Sequence, residues 1–396
     1  MKKLVLAYSG GLDTSYCLKT LSKEGYEVHA VSVNTGGFSP DEIIEQESKA
    51  MQMGASSYTS IDALDSFYKK IVKYLVFGNV LKNNSYPLSV SAERIVQAVE
   101  IISYAKIIDA QFIAHGSTGA GNDQVRFDLI FQVLAPAIKI ITPIRDQQLS
   151  REAEIEYLKS EGIEMSWEKA QYSINQGLWG TSVGGSETLT SDKALPSTAY
   201  PSQLTESEPK QITLDFEHGE ISGINGVKGN PVALIQQVQE VAKGYAIGRD
   251  IHVGDTIIGI KGRVGFEAAA PLIIIKAHHL LEKHTLSKWQ QFQKEQLGSF
   301  YGMLLHEGNY LDAVMRDIES FLESSQKTVN GSVIITLHPY RFELEGIQSP
   351  NDLMNASFGS YGEMNKGWTA EDAKGFIKIT ANAHTIYGSV NNKDSK

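Results

Sequence analysis

The chain has 396 residues, 42% of them hydrophobic, and a formal net charge of −10 at pH 7. This length predicts two or three domains and a large core without cross-links. The acidic balance argues against a duplex DNA or RNA binder, which needs a basic surface, and the single cysteine, Cys17, excludes an internal disulfide and any zinc site with two cysteine ligands.

The N-terminal segment has only five consecutive apolar residues, Leu4 to Tyr8, before a polar stretch. Such a run is too short for the hydrophobic part of a signal peptide. The chain contains no run of 18 apolar residues, so the sequence predicts no transmembrane helix. A cytoplasmic protein is therefore expected.

The first 160 residues alternate short apolar runs with longer helical patterns. Strands are predicted at 3–8, 28–33, 57–61, 111–114 and 139–142, and helices at 13–24, 40–53, 63–77, 92–109 and 151–160. Ser39 and Ser150 are the expected N-caps, and Glu42 completes a capping box with Ser39. This alternation predicts a doubly wound α/β domain with a mostly parallel sheet over residues 1–165. Ligands of such sheets bind at the carboxyl ends of the strands.

The pattern changes to α+β after residue 165. Residues 180–210 are rich in Ser, Thr, Gly and Pro and predict a loop or hairpin, followed by a strand at 211–216 and a helix at 232–245. Residues 256–261 and 272–276 contain β-branched runs, and residues 374–390 alternate as a strand pair would. We expect a second domain over 166–365 and a C-terminal segment over 366–396.

A phosphate-binding loop is predicted directly after the first strand. The segment Ser9 to Ser15 reads SGGLDTS and opens the first helix. Two glycines let the backbone approach an anion closely, and the free N–H groups of the helix start favour it. Asp13 is a plausible partner for Mg²⁺ or its water shell. The alternative is a tight strand-to-helix turn with Asp13 as a cap.

A second polar loop, His115 to Phe127, reads HGSTGAGNDQVRF. Asp123 can accept hydrogen bonds from an ammonium group, and Arg126 can hold a carboxylate through two parallel bonds. This set suits a zwitterionic amino acid. The residues alone leave open a second interpretation, a solvated loop whose Asn122 and Asp123 cap the next helix.

Together the two loops resemble the argininosuccinate synthases, which belong to the ATP pyrophosphatases. GNDQVRF is very specific to that family, and further matching stretches follow in family order, including Tyr86-Pro87-Leu88 and Leu178-Trp179-Gly180. The resemblance implies a ligase of arginine biosynthesis that uses ATP and Mg²⁺, condenses citrulline with aspartate and releases AMP and pyrophosphate. It also implies a homotetramer assembled in part by the C-terminal segment, with no nucleic-acid or membrane partner.

Residue roles follow from the same resemblance. It assigns aspartate binding to Thr118, Asn122 and Asp123. The ATP contacts would be Ala7, Tyr8, Ser9, Gly10, Gly11, Leu12, Asp13, Thr14, Ser15, Val33 and Gly116, and the citrulline contacts Tyr86, Ser91, Asn122, Arg126, Ser173 and Ser182. Without the resemblance, Tyr86 could equally cover a core edge, and the serines could satisfy backbone groups.

The sequence departs from the family at the citrulline end. Gly254 stands where the family usually has a glutamate that contacts citrulline, with Asp255 beside it, and Phe266 replaces a tyrosine contact. Asp255 could compensate for the missing carboxylate. An acidic stretch is also altered, to Ile174 through Gly177.

Other reactions and other roles fit less well. A tRNA-thiolating or glutamine-dependent enzyme would need cysteine chemistry that Cys17 alone does not offer, and a nucleotide sensor without catalysis is the rival from another class. His278, His279 and His284 are expected at a helix surface or subunit contact rather than at a metal, and Trp179 and Trp289 in the core. No residue is identified as a required general base.

Overall fold

The computed structural model describes residues 2–163, 172–355, 361–363 and 366–391. The chain divides into two compact units, Met1–Asn351 and Asp352–Lys396.

A five-stranded parallel sheet occupies the first part of the larger unit, in the order β3-β2-β1-β4-β5. Its strands are β1 (Lys2–Ala7), β2 (Tyr26–Asn34), β3 (Ser57–Asp62), β4 (Phe112–Ala114) and β5 (Lys139–Ile141). Leu4, Val5 and Leu6 in the central strand are fully buried. The predicted α/β architecture is confirmed, and the strand order reverses between β1 and β4, where such sheets bind ligands.

Helices cover both faces of this sheet. They are α1 (Leu12–Lys23), α2 (Pro40–Gln52), α3 (Leu64–Phe67), α4 (Lys73–Phe77), α5 (Glu93–Ile107), α6 (Asp123–Leu134), α7 (Pro143–Gln147) and α8 (Arg151–Ser160). The Ser39–Glu42 capping box of α2 and the Ser150 cap of α8 form as predicted. The single helix predicted over 63–77 is instead interrupted, because Tyr68–Val72 forms a π-helical turn between α3 and α4.

Antiparallel sheets follow in the second part of the larger unit. A four-stranded sheet has the order β11-β12-β7-β6 and a five-stranded sheet the order β10-β9-β8-β13-β14. The first contains β6 (Ser173–Gly177), β7 (Gly180–Gly184), β11 (Arg249–Asp255) and β12 (Lys261–Glu267); the second contains β8 (Lys210–Glu217), β9 (Glu220–Ile224), β10 (Val227–Lys228), β13 (Gly331–His338) and β14 (Arg341–Gln348).

Four long helices pack with these sheets: α9 (Pro231–Lys243), α10 (Ala269–Thr285), α11 (Lys288–His306) and α12 (Ala313–Ser325). The β-branched run at 272–276 lies inside α10, where Ile273, Ile274 and Ile275 are buried. Burial of a helix on all sides removes the polar residues that would otherwise reveal its period.

Several sequence interpretations were wrong. Residues 374–390 form one helix, α13 (Ala370–Asn391), rather than a strand pair. His278 is not at a surface but fully buried, hydrogen-bonded to Asn79 and Gln326 at 2.8 Å. Trp179 is in the core as expected, whereas Trp289 is 70% exposed. Among the helices that the structure describes, none is long and apolar enough to cross a membrane.

Candidate active site

A cavity of about 870 Å³ lies at the carboxyl ends of β1 and β4, where the strand order reverses. Both loops predicted from the sequence contribute to its wall. The predicted site residues that line it are Ala7, Tyr8, Ser9, Gly11, Leu12, Asp13, Thr14, Val33, Gly116, Thr118, Asn122, Asp123, Arg126 and Ser173. The cavity therefore brings the predicted phosphate-binding loop and the predicted amino-acid loop together.

The loop after β1 has the geometry of an anion cradle. Gly10 adopts a φ of +75°, which favours glycine, and Gly11 begins α1 without a side-chain cap, so the first N–H groups of the helix stay free. Thr14 Oγ1 donates to the Gly11 carbonyl at 3.2 Å and lies 3.3 Å from Ser9 Oγ. These hydroxyls and free amides can bind a phosphate chain.

The second loop packs directly on the first. A Cβ placed on Gly116 would lie 3.2 Å from the Thr14 nitrogen and from the Asp13 carbonyl carbon, so glycine permits this close approach. His115 Nδ1 accepts from the Ser117 N–H at 3.2 Å, and its Nε2 therefore donates to Asp128 at 2.8 Å. Arg145 holds the other Asp128 oxygen at 2.8 Å. Sequence reasoning assigned none of these three supporting side chains.

Asp123 is the centre of an ion-pair network at the cavity wall. Arg94 Nε contacts Asp123 Oδ2 at 2.9 Å, and Arg126 Nη1 contacts Oδ1 at 2.9 Å. Burial raises the pKa of Asp123, but the two arginines outweigh it, and the net pKa is lowered. Arg126 also donates to the His306 carbonyl from Nε at 3.0 Å and Nη2 at 2.8 Å, which joins the loop to the end of α11.

Glu93, at the start of α5, was missed by sequence reasoning. Its carboxyl group is buried, lines the cavity and accepts a hydrogen bond from Thr35. A Cβ on Gly177 would lie 2.6 Å from Glu93 Oε2, so this carboxylate needs a glycine opposite it. Burial raises the pKa of Glu93 to about 7, against the opposing effects of Arg94 and Thr35. No pattern around residue 93 distinguishes it from an ordinary first-turn glutamate.

Five predicted site residues do not line the cavity: Gly10, Ser15, Tyr86, Ser91 and Ser182. Ser15 lies buried in α1. Ser182 pairs with Asn175, which lines the cavity, on one side and with Phe266 on the other.

The segment containing Tyr86 and Ser91 is held in an unusual conformation. Leu88 has a φ of +62°, which is uncommon for a residue with a branched side chain, and it is fully buried. Trp179 Nε1 donates to the Pro87 carbonyl at 3.0 Å. Ser91 Oγ lies 3.4 Å from the Leu88 carbonyl. Tertiary contacts thus fix Tyr86, although it lies outside the two motif loops.

Asp255 does not take the position that Gly254 leaves. Successive side chains of a strand point to opposite faces, and Asp255 is exposed and paired with Lys261 at 2.5 Å. A Cβ on Gly254 would instead lie 2.8 Å from His252 Nε2 and 3.4 Å from Asn83 Nδ2. His252 therefore covers the space that a side chain at position 254 would enter.

A Mg²⁺ ion is implied by ATP chemistry, and Asp13 is the carboxylate that the phosphate loop itself contributes to the cavity. Within the described ranges, no cluster of three or more His, Cys, Asp or Glu side chains could hold a metal ion. The residues present fit an ion held mainly by phosphate oxygens and water. Burial and then the Asp13 carboxylate raise the pKa of nearby Glu154, so Asp13 has an acidic neighbour that retains its proton more readily.

Two family models cover almost the whole chain. One described as Arginosuccinate synthase N-terminal HUP domain matches residues 3–164, and one described as Arginosuccinate synthase C-terminal domain matches residues 172–387. An argininosuccinate synthase of Methanocaldococcus jannaschii is 37% identical, covering 91% of each chain. That of Xanthomonas campestris pv. campestris is 34% identical, covering 98% of this chain and 99% of its own, and that of Pyrococcus furiosus is 35% identical over 95% and 92%.

Proposed function

Because the chain belongs to the argininosuccinate synthase family, we propose that it condenses the ureido group of citrulline with the amine of aspartate in arginine biosynthesis. The reaction consumes ATP and releases AMP and pyrophosphate. The observation that carries the proposal is the cavity at the β1/β4 switch point, which unites the phosphate loop with the Asp123–Arg126 loop.

The first step activates the ureido group. The ureido oxygen attacks the α-phosphorus of ATP, the bond to the β-phosphate oxygen breaks, and pyrophosphate leaves with the bonding electrons. Gly11, Thr14 and the free amides of α1 would stabilise the charge that develops on the leaving group, since fixed donors need no reorganisation. Bound Mg²⁺ would neutralise phosphate charge, and Asp13 is the side chain that would hold it.

The second step forms the C–N bond. The α-amine of aspartate attacks the ureido carbon, loses a proton, and expels AMP carrying the original ureido oxygen. Thr118 and Asn122 would bind aspartate, and Asp123 would orient its amine from a position fixed by two arginines. Positioning of this kind can supply much of the rate enhancement.

Binding of citrulline would use residues from several segments. Arg126 and Ser173 line the cavity, whereas Tyr86, Ser91 and Ser182 lie beside it, with Ser182 one strand away from Asn175. We propose that all five contact citrulline, together with Asn122, which also lines the cavity.

Isotope transfer tests the scheme. The enzyme is incubated with ATP, Mg²⁺ and citrulline carrying ¹⁸O in the ureido group, with and without aspartate. We expect argininosuccinate only when aspartate is present and the label in the phosphoryl group of AMP. Unlabelled AMP, or ATP binding without pyrophosphate release in the presence of any ureido compound, would contradict the proposal and favour a nucleotide sensor.

We propose further that the chain forms a homotetramer through its C-terminal segment. Six large apolar side chains of α13 are 58–72% exposed: Phe376, Ile377, Ile379, Ile386, Tyr387 and Val390. Nothing among these observations points to a nucleic-acid or membrane partner. A cytoplasmic location remains a prediction from the sequence.

A further inference from the structure

A group of side chains lies beside Arg126, and Tyr86 is the member of it that has a role in the reaction proposed above. Tyr86 stacks on His252 with 4.8 Å between ring centroids and lies 5.2 Å from Phe266. His306 Nδ1 lies 3.4 Å from Arg126 Nη2. We refer to Tyr86, His252, Phe266 and His306 as the distal cluster. If the proposed function is right, the cluster faces the amino-acid end of the ureido substrate, because Tyr86 and Arg126 would both contact that substrate.

The charged side chains that act on the two histidines of the cluster are mainly cationic. Burial, followed by the nearby Lys82, lowers the pKa of His252 to about 4. Burial, followed by Arg126 and Lys82, lowers the pKa of His306 to about 3. Both histidines are therefore neutral at pH 7, with Arg126 and Lys82 nearby. Such surroundings suit the α-carboxylate of an amino acid and disfavour an ammonium group.

Three carboxylates near the cluster already have partners within the protein. Asp123 is held by two arginines. Glu93 accepts from Thr35 and faces Gly177 on the cavity side. Asp255 is exposed on the opposite face of β11 and pairs with Lys261.

Position 254 cannot supply a carboxylate in this arrangement. His252 and Gly254 lie on the same face of β11, and the imidazole covers Gly254 at 2.8 Å from an added Cβ. His252 is only 6% exposed, and its Nδ1 has no hydrogen-bond partner. A buried polar atom of this kind requires a partner, so a ligand with a neutral oxygen or a carboxylate would satisfy it.

We propose that the preferred ureido substrate carries no free α-ammonium group and that its α-nitrogen is acylated, as in an Nα-acylcitrulline. The acyl oxygen would accept from the Nδ1–H of His252, and the α-carboxylate would lie toward Arg126 and Lys82. The ureido end and its chemistry remain as described. The product would be the corresponding Nα-acyl argininosuccinate, with every atom of the acyl group retained.

The test compares kcat/KM for citrulline, Nα-acetylcitrulline and Nα-succinylcitrulline, measured by aspartate-dependent pyrophosphate release. We expect at least one acyl compound to exceed citrulline by roughly tenfold or more, since an unmatched ammonium forfeits a charge-assisted hydrogen bond. Citrulline equal to or better than both acyl compounds would overturn this inference and leave the proposed function intact. No turnover of any of the three would overturn both.

Variants separate the explanations for such a preference. His252→Ala should lower the ratio of kcat/KM for the better acyl compound to kcat/KM for citrulline by roughly tenfold or more. Asp255→Asn is the matched control on the other face of β11 and should change neither. A selective loss of citrulline turnover in Asp255→Asn or Glu93→Gln would identify a carboxylate that holds the ammonium, and would overturn the proposal. Circular dichroism confirms that each variant is folded.

Discussion

Arg126 joins the Asp123 carboxylate to the His306 carbonyl through three hydrogen bonds of 2.8–3.0 Å. Lysine cannot reproduce this planar fork. We expect Arg126→Lys to lower kcat/KM for the ureido substrate by about 10- to 150-fold, which corresponds to about 1.5–3 kcal/mol for charged hydrogen bonds. Steady-state pyrophosphate release measures this change in kcat/KM. Arg341→Lys, at an exposed position in β14, is the control, and equal effects in the two variants would contradict a role for the fork.

Glu93 gives the stability of the protein a definite pH dependence. Its pKa is about 7 when folded and 4.5 as a free side chain. Below pH 4.5 both states hold the proton; as pH rises, the unfolded chain ionises first, so the free energy of unfolding falls until the pH passes about 7. Over this pH range the free energy of unfolding falls by about 3 kcal/mol because of Glu93.

Glu93→Gln should remove this part of the pH slope. The measurement is urea denaturation of the unliganded protein between pH 5 and 8, with exposed Glu47→Gln as the control. An identical fall in stability for wild type and Glu93→Gln would show that the Glu93 pKa is not raised by folding.

Among the individual site residues, the sequence identified those that lie close together along the chain and few others. Asp13, Asp123 and Arg126 lie in dense motifs, so their residue types and spacing predict their chemistry. Glu93, Thr35 and His252 come from separate segments, and only the fold brings them to the site. The buried Glu93 carboxylate lies opposite Gly177. Neither local segment contains a pattern that predicts this contact.

The two glycine-rich loops act as one element because Gly116 touches the phosphate loop. Gly116→Ala should push Asp13 and Thr14 away, since an added Cβ would lie 3.2 Å from their backbone. Overpacking of this kind costs about 1–3 kcal/mol. We expect the KM for ATP to rise about tenfold, because each 1.4 kcal/mol is a factor of ten in affinity.

Gly121→Ala is the matched control for that variant. It lies in the same loop and also lines the cavity, but an added Cβ would meet no atom within 4 Å. ATP dependence of pyrophosphate release measures both variants. A larger effect at Gly121 than at Gly116 would mean that loop flexibility, rather than the contact with the phosphate loop, determines ATP binding.

Elements with clear local signals were predicted well, and elements shaped by burial or by partners were not. The Ser39 capping box and the parallel strands follow from short-range chemistry. The isoleucine run of α10 is consistent with a strand or a buried helix, and packing on both sides selects the helix. The π-helical turn at Tyr68–Val72 accompanies a long-range bond from the Tyr68 hydroxyl to Glu220 at 2.6 Å, which no local pattern predicts.

In the part of the chain that the structure describes, the helix α13 has an exposed apolar face. In α13, Phe376, Ile379, Ile386 and Val390 are separated by three, seven and four residues, which places them on one face of the helix. All four are 58–71% exposed. An exposed stripe of this kind is typical of an interface between copies of a chain.

Phe376→Ser combined with Ile379→Ser should therefore lower the molecular mass in solution from that of a tetramer to a smaller species. Both residues lie in the unit Asp352–Lys396, so the core of Met1–Asn351 and its ATP site should remain folded. Light scattering coupled to size-exclusion chromatography measures the mass, and ATP binding by calorimetry provides the control. Lys374→Ser and Lys378→Ser, polar changes in the same helix, should leave the mass unchanged. A tetramer that survives the apolar substitutions would assign assembly to another surface.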